Sequence, residues 1–340
     1  MPPSQPPPVS ASVSVIIAAY NAETTLARAI RSALAEPETA EVIVVDDAST
    51  DETRAVARAE ASKDPRVQLI EMPVNSGPAA ARNSALDVAK ADYVAVLDSD
   101  DVFLPARLAQ LLGGAHTQII ADNIAFVTQT TLHTLQKQDW SHITPEFTPL
   151  STADFVRGNL HRPGVARGEL GFLKPLLSRA FLNRQGLRYD PALRLGEDYD
   201  LYVRMLLAGA QMSLTRRPGY GAVVRPTSLS AQHGAAELTH LQDALSRHLR
   251  SAGLSSTDTA AMTAHLRQVT DKRDHRVFLD LRRAKGPIAA LRYAFAGLRR
   301  PWRIAAKIAQ DKLRMTAMAG DVARNGDVRL LLPTDTSGFQ

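Results

Sequence analysis

The sequence predicts an α/β fold in which a mostly parallel sheet is flanked by helices and followed by a C-terminal helical extension. Short apolar runs rich in β-branched residues alternate with segments of helical periodicity, which is typical of parallel sheets with right-handed crossovers. Acidic side chains directly follow two of these runs, at the strand ends where α/β folds bind their ligands. After about residue 234 the strand pattern ends and basic helical segments follow.

Nearly continuous apolar runs predict strands that are buried on both faces, and apolar residues at three- and four-residue spacing predict helices. Strands are expected at Ser12–Ala19, Glu41–Val45, Val67–Glu71, Tyr93–Leu97 and Gly171–Leu177. Helices are expected at Ala22–Leu34, from near Asp51, at Ala79–Ala89, Tyr199–Ala208 and Ala235–Thr270, and beyond Asp274. Ser49 or Thr50 is expected to cap the helix that begins near Asp51.

Composition divides the chain into four predicted segments. They are a disordered Pro-rich lead-in at 1–11, an α/β domain at 12–233, a basic helical extension at 234–320 and a flexible tail at 321–340. The chain of 340 residues is long enough for this division.

The composition also restricts the class of protein. The absence of cysteine excludes disulfides and thiolate metal sites and fits a reducing compartment. No apolar run approaches the roughly 20 residues that span a bilayer. No basic segment followed by an apolar core opens the chain, so we expect no signal peptide and a cytoplasmic location.

Three carboxylates follow the predicted strand Tyr93–Leu97 within four residues. The spacing of Asp98 and Asp100 places two oxygen donors within reach of one divalent ion. Mg²⁺ and Mn²⁺ are held in proteins by a few such carboxylates together with substrate phosphates. A solvated acidic turn is the alternative, and the neighbouring motifs must decide between them.

Five motifs in a fixed order carry a resemblance to a known family. They are Val-Ser-Val-Ile-Ile-Ala-Ala-Tyr-Asn at 13–21, Val-Val-Asp-Asp-Ala-Ser-Thr-Asp at 44–51, Gly-Pro-Ala-Ala-Ala-Arg-Asn at 77–83, Leu-Asp-Ser-Asp-Asp at 97–101 and Gly-Glu-Asp-Tyr-Asp-Leu at 196–201. Together they resemble the inverting glycosyltransferases of family 2 over about residues 12–230. The segments at 171–176 and 195–200 look most like bacterial exopolysaccharide transferases of the succinoglycan type.

The resemblance implies a Rossmann-like GT-A fold, with a nucleotide-sugar half at 12–103 and an acceptor half at 104–233. Tyr20 and Glu23 would line the nucleotide pocket, and Asp47 would accept a hydrogen bond from uracil or ribose. Arg82 would lie near the nucleotide or its phosphates, where its guanidinium suits oxygen acceptors. A core aromatic is the alternative role for Tyr20, and a helix cap is the alternative for Asp47.

The same resemblance assigns the metal and the base. Asp100 would bind Mg²⁺ or Mn²⁺ directly, whereas Asp98 and Ser99 would meet the ribose or a metal-bound water. Asp198, in the Glu197-Asp198 pair that opens a predicted helix, would be the general base that deprotonates the acceptor. The alternative is that these acids only complement the helix dipole. One base and no second nucleophile imply inversion at the sugar.

Two features of the acceptor half bear on how the acceptor binds. Lys174 could touch an acceptor phosphate or cover the sheet edge. The segment 222–230 resembles the family segment that closes the site, but Thr227 stands where many members have His. The Gln-x-x-Arg-Trp motif of processive synthases is missing, which favours addition of one sugar per encounter.

The expected activity is transfer of a single sugar, glucose, from a UDP-sugar to a lipid-linked oligosaccharide in exopolysaccharide biosynthesis. Two other enzyme classes do not fit. A sugar-phosphate nucleotidylyltransferase would need a Gly-rich loop after the first strand, and an Asp-x-Asp phosphatase would have its two acids there; this sequence has neither feature after its first strand. A catalytically weak scaffold of a membrane-associated assembly complex is the alternative from another class.

The extension is basic as well as apolar, because residues 282–314 hold ten Lys or Arg and one Asp. The repeat of Lys285, Arg292 and Arg299 predicts one basic helix face. Basic amphipathic helices bind anionic membrane surfaces, so we expect a peripheral protein at the inner face of the cell membrane. Packing on the catalytic domain or a partner is the alternative, and no motif indicates a nucleic-acid partner.

Overall fold

The computed structural model describes residues 11–114, 116–161, 169–224, 234–297, 300–308 and 328–333. Within them a ten-stranded sheet is flanked by helices, which confirms the predicted α/β class. The strands are β1 Val13–Ala19, β2 Thr39–Asp46, β3 Val67–Glu71, β4 Tyr93–Val96, β5 Val102–Phe103, β6 Ile119–Val127, β7 Phe147–Leu150, β8 Leu176–Ser178, β9 Met212–Val223 and β10 Arg329–Leu330. The helices are α1 Leu26–Leu34, α2 Thr53–Lys63, α3 Pro78–Val88, α4 Arg107–Gly114, α5 Leu132–Lys137, α6 Thr152–Arg157, α7 Arg179–Arg184, α8 Glu197–Leu207, α9 Ala235–His248 and α10 Ser256–Phe295.

The strand order is β3-β2-β1-β4-β8-β6-β9-β5, with β10 paired to β6 and β7 paired to β9. The first four strands of this order are all parallel, and Ala19 of β1 lies opposite Asp46 of β2. Their carboxyl ends therefore meet at one edge of the sheet, which collects the loops after β1, β2 and β4. The sequence expectation of buried strands holds here, because the side chains of Val15, Ile16 and Ile17 are fully buried.

The second half of the sheet is mixed rather than parallel. Strand β8 is antiparallel to both β4 and β6, whereas β6 and β9 are parallel to each other. The predicted strand Gly171–Leu177 is shorter than expected, because residues 170–172 form a 3-10 turn and β8 begins only at Leu176. Pro175 has no N–H to donate to a ladder, which is a physical reason for this late start.

The predicted cap of α2 is wrong. The helix begins at Thr53, and its first turn is fixed by the Asp51 carboxylate, which accepts the N–H of Thr53 at 3.0 Å. Ser49 and Thr50 instead join the loop after β2 to the loop after β1, because both are hydrogen-bonded to Asn21. Helix α1 also starts later than predicted, at Leu26.

The C-terminal helices differ from the prediction in where they break. Residues 249–255 separate α9 from α10, and α10 runs without interruption through 271–273. It kinks instead at Gly286, whose φ of 83° is left-handed, so Lys285 and Arg292 do not share one continuous helix face as predicted. Arg299, the third member of that repeat, lies outside the described residues.

Part of the predicted flexible tail belongs to the sheet. Strand β10 pairs antiparallel with β6, and the side-chain amide of Asn123 is hydrogen-bonded to the backbone of Leu332 in both directions at 2.8 and 2.9 Å. The remainder of 321–340, and residues 1–10 of the predicted lead-in, lie outside the described residues. No helix among the described parts of the chain is long and apolar enough to cross a membrane.

Candidate active site

The loops after β1 and β2 form one side of the candidate site. The Tyr20 side chain, directly after β1, is 50% exposed, which excludes the alternative of a core aromatic. The Asp47 carboxylate, directly after β2, accepts the N–H groups of Ser76 and Gly77 at 2.7 and 2.8 Å. Asp47 therefore fixes the loop that leads into α3 and does not cap α2. Glu23 is exposed, and its carboxylate accepts the N–H of Glu52 at 2.9 Å.

Arg82, on α3, joins the end of β4 to the start of α8. One terminal nitrogen of its guanidinium donates to Glu197 at 3.0 Å and to Asp198 at 3.1 Å, and the other donates to Asp98 at 2.8 Å. The Arg82 side chain is buried, and its Cζ atom lies 5.4 Å from the centre of the Tyr189 ring. These three carboxylate contacts hold two predicted site acids together.

Lys174 completes this cluster from the opposite side. Its ammonium lies 2.8 Å from Asp198 Oδ2 and 2.9 Å from Asp98 Oδ2. The side chain is buried, which excludes its predicted role as cover for the sheet edge, whereas contact with an acceptor phosphate stays a prediction. A single Lys within an otherwise apolar run, Gly-Phe-Leu-Lys-Pro-Leu-Leu, was the available signal, because a buried charge requires a partner.

A fully buried ion pair holds the backbone of Lys174. The guanidinium of Arg107 donates to both oxygens of Asp122 at 2.7 and 2.8 Å and to the carbonyl oxygen of Lys174 at 2.5 Å. Gly219 makes room for this pair, because a Cβ at Gly219 would lie 2.1 Å from Asp122 Oδ2. Sequence reasoning missed both members of the pair.

The charges of the cluster and its burial shift the pKa values of three of its members. Burial on its own would raise the pKa of Asp98, but the ammonium of Lys174 and the guanidinium of Arg82 lower it below its usual range. Burial opposes the charge of Lys174, yet Asp198 and Asp98 raise its pKa above the ordinary value. Burial and the charge of Asp198 raise the pKa of Glu197. The guanidinium of Arg82, 3.0 Å away, opposes this shift in part.

Asp101, the third acid after β4, has a structural role. Its carboxylate accepts the hydroxyl of Tyr220 and the N–H of Val223, both at 2.8 Å. Burial and the nearby charges of Asp98 and Asp100 raise its pKa well above the ordinary value. The same Tyr220 hydroxyl accepts the N–H of Asp98 at 3.1 Å, so β9 fixes the backbone at the end of β4.

Asp100 is the acid at this strand end that best fits a divalent ion. It is partly exposed, and Arg28 donates to its main-chain carbonyl at 2.7 Å. Both oxygens of Asp98 are already bound by cations, and Ser99 lies between the two, partly exposed. Among the described residues no group of three His, Asp or Glu could hold a metal ion. Mg²⁺ is held in proteins by few carboxylates together with substrate phosphates, and Asp100 could serve as such a ligand.

Helix α8 places Asp198 in this cluster. The left-handed Gly196, with φ of 74°, lets the chain turn directly into the helix, and the acids of its first turn complement the helix dipole. In the same first turn the Asp200 carboxylate is 2.8 Å from His248 Nε2 of α9. The predicted closing segment, including Thr227, lies mostly outside the described residues.

The comparisons with known proteins agree with the fold and the motif order. The model of the family "Glycosyl transferase family 2" matches residues 14–167. The succinoglycan biosynthesis protein ExoU of Rhizobium meliloti is 44% identical over 328 residues, which cover 95% of each chain. The protein WfaP of Escherichia coli, named a UDP-Glc:α-D-GlcNAc-diphosphoundecaprenol β-1,3-glucosyltransferase, is 38% identical over 107 residues, or 31% of this chain and 42% of its own.

A solved structure shows the same architecture. The mannosyltransferase PcManGT of Pyrobaculum calidifontis, in complex with GDP-Man and Mn²⁺, superimposes with a TM-score of 0.55 at 19% identity, over 91% of this chain and 84% of its own. At this identity the likeness concerns the fold alone. The near-complete match to ExoU, added to the five motifs, confirms the resemblance first inferred from the residues. The chain therefore belongs to the family 2 glycosyltransferases, with the GT-A fold.

Proposed function

We propose that this glycosyltransferase moves a single sugar, glucose, from a UDP-sugar to a hydroxyl of a lipid-linked oligosaccharide during exopolysaccharide biosynthesis. The observation that carries the proposal is the cluster that holds Asp198 beside the acidic end of β4 through Arg82 and Lys174. It unites a base for the acceptor with a metal-compatible strand end. The names of ExoU and WfaP support the exopolysaccharide pathway, the UDP-glucose donor and the diphosphate-lipid acceptor.

In the proposed reaction Asp198 accepts the proton of the acceptor hydroxyl, whose oxygen attacks the anomeric carbon in line with the departing UDP. The bond to the diphosphate breaks in the same displacement, so the sugar is inverted. A bound divalent ion would neutralise charge on the diphosphate. Asp100 is proposed to hold that ion, with Asp98 and Ser99 towards the ribose or a metal-bound water.

The nucleotide is proposed to lie over the loops after β1 and β2. The exposed ring of Tyr20 can pack against the uracil, with Glu23 at the side of the pocket. Asp47 can still accept a bond from uracil or ribose through its remaining lone pairs, because each carboxylate oxygen accepts more than one hydrogen bond. Arg82 acts by holding Asp98 and Asp198 rather than by reaching the phosphates.

The test is a screen of UDP-sugar and GDP-sugar donors for nucleotide release, with diphosphate-linked oligosaccharides as acceptors and analysis of the product linkage. We expect UDP-glucose to be the preferred donor and release to require Mg²⁺ or Mn²⁺. Preference for a GDP-sugar, or transfer only to lipid-free sugars, would contradict the donor or acceptor proposed.

Metal dependence is tested separately with Asp100→Asn. We expect this variant to lose metal-dependent UDP binding and most turnover, because it removes the charged ligand. Asp87→Asn, which changes an exposed acid of α3, is the matched control and should keep both. Full activity of the unaltered enzyme in excess EDTA would contradict the metal assignment.

A further inference from the structure

Beyond the kink at Gly286 the chain folds back on the part of α10 that precedes the kink. We call residues 287–297 and 300–308 the extension tip; both pieces are helical except at the connection. After the kink at Gly286, the Tyr293 hydroxyl donates to Asp274 at 2.9 Å, and Arg300 lies 3.6 Å from the same carboxylate. Arg303 lies 3.4 Å from Asp271. These contacts fix the tip and turn two of its basic side chains towards α10.

The opposite side of the tip is apolar and exposed. Ile288, Phe295 and Trp302 are 75%, 72% and 79% exposed, and Leu291 is 49% exposed. Leu291, Phe295 and Trp302 line a groove of about 660 Å³ that Ile304 also lines. The other exposed large apolar side chains of the described residues are scattered over the catalytic part. Clusters of this kind mark interaction surfaces, whereas isolated exposed residues do not.

The positive charge of the residues near these apolar side chains indicates a partner with negative charge. Residues 281–310 contain eight Lys or Arg and no Asp or Glu. Among them Arg282, Arg283, Lys285 and Arg292 are exposed beside the tip. A segment with exposed aliphatic, phenyl and indole groups and several exposed cations fits the interface of a bilayer with anionic head groups, where indole rings lie at head-group depth.

We propose that the extension tip inserts the side chains of Ile288, Leu291, Phe295 and Trp302 into the acyl boundary of an anionic membrane, with the flanking cations on the head groups. The inference deepens the proposed function, because it names the surface that brings the enzyme to a lipid-linked acceptor. Its test reads membrane contact directly and so does not depend on donor, acceptor or metal.

The chain has two tryptophans, so Trp140→Phe leaves Trp302 as a single fluorescent reporter within the tip. We expect its emission to shift to the blue when vesicles containing phosphatidylglycerol are added at low salt, and to shift less with pure phosphatidylcholine or at high salt. Flotation of the full chain with the same vesicles should follow the same order.

The combined variant Ile288→Ser and Phe295→Ser should lower the apparent partition coefficient at least about ten-fold, since burying one large apolar side chain changes a partition by that factor. Val74→Ser is the matched control, because Val74 is 64% exposed but lies in the loop before α3. The side chains of Ile288, Phe295 and Val74 are all exposed, so neither the combined variant nor its control should alter the fold.

Three results would overturn the proposal. An emission spectrum that anionic vesicles leave unchanged would exclude insertion. A spectrum already shifted to the blue without vesicles would mean that the rest of the chain covers the face. A shift that grows with protein concentration alone would assign the face to a second copy. UDP release measured in the same samples separates failure of the surface from failure of the enzyme.

Discussion

The side chain of Lys174 holds two predicted site acids together from a buried position. Its ammonium neutralises Asp98 and Asp198 at once, and the buried Arg107–Asp122 pair fixes its own backbone. Without the ammonium, two carboxylates so close to one position would repel each other and favour protonation of one of them. The ammonium of Lys174 therefore lowers the pKa of Asp98 and holds Asp198 beside it.

We expect Lys174→Met to lower the free energy of unfolding by on the order of 2 kcal/mol. This is less than the loss for a fully buried pair, because about a third of the Asp98 side chain is exposed. Thermal and urea unfolding measure the effect. Lys63→Met is the matched control, since Lys63 also forms an ion pair but is mostly exposed. Equal losses in the two variants would contradict the role of Lys174.

The substitution Asp198→Asn tests whether Asp198 is the general base. We expect transfer to fall by roughly 10²–10⁴-fold, the usual contribution of a general base. UDP binding should be retained, because Asp198 is proposed to meet the acceptor and not the nucleotide. Single-turnover transfer and titration with UDP separate the two effects. Glu197→Gln is the neighbouring control, and an equal loss there would assign the base to the pair rather than to Asp198.

At the scale of elements, α8 depends on the helices that follow the catalytic sheet. Its Asp200 is paired with His248 of α9, and its Tyr199 ring packs edge-on against His265 of α10, with ring centres 4.7 Å apart. The first turn of α8 carries Asp198, so α9 and the first half of α10 support the catalytic helix. Of the two roles considered for the extension, membrane binding and packing on the catalytic domain, α9 and the first half of α10 have the second.

Packing around His265 should make stability depend on pH. Burial lowers the pKa of His265 to about 3, helped by the charges of Lys272 and His248. The unfolded chain takes up this proton near pH 6.5 and the folded chain does not, so the free energy of unfolding should decrease as pH falls from about 6.5.

The comparison of His265→Phe with the unaltered chain isolates this contribution. The variant keeps an aromatic ring against Tyr199 but cannot be protonated, so its melting temperature should fall less between pH 7 and pH 5. His240→Phe, which changes an exposed His of α9, should leave the pH profile unchanged. Identical slopes for His265→Phe and the unaltered chain would exclude this origin of the pH dependence.

At the scale of the molecule, one apolar core crosses the boundary that composition places near residue 234. The same cluster contains Val13 of β1, Met262 of α10 and Leu331 beside β10. We therefore expect a single unfolding transition, with equal calorimetric and van't Hoff enthalpies. Differential scanning calorimetry measures both quantities. Two resolved transitions would mean that the extension unfolds independently.

The sequence by itself determined which loops form the site. Tyr20, Asp47 and Asp98 each follow a run that reads as a buried strand, and parallel strands bring their carboxyl ends to one edge. The periods of strands and helices are local properties, so they could be read without knowing any distant contact. The order of the five motifs then identified the family before any geometry was known.

The tertiary structure decided the partners of the charged groups and the ends of several elements. Arg82 meets Asp198, 116 residues away, and Asn123 meets Leu332, 209 residues away. Such pairs leave no trace in the local pattern, so the sequence predicts other roles for Lys174 and a flexible tail where β10 forms. The predicted cap at Ser49 failed for the same reason, because the hydroxyl is bound by Asn21 of another loop. Local periodicity encodes burial, whereas the choice of partner depends on which distant segments the fold brings together.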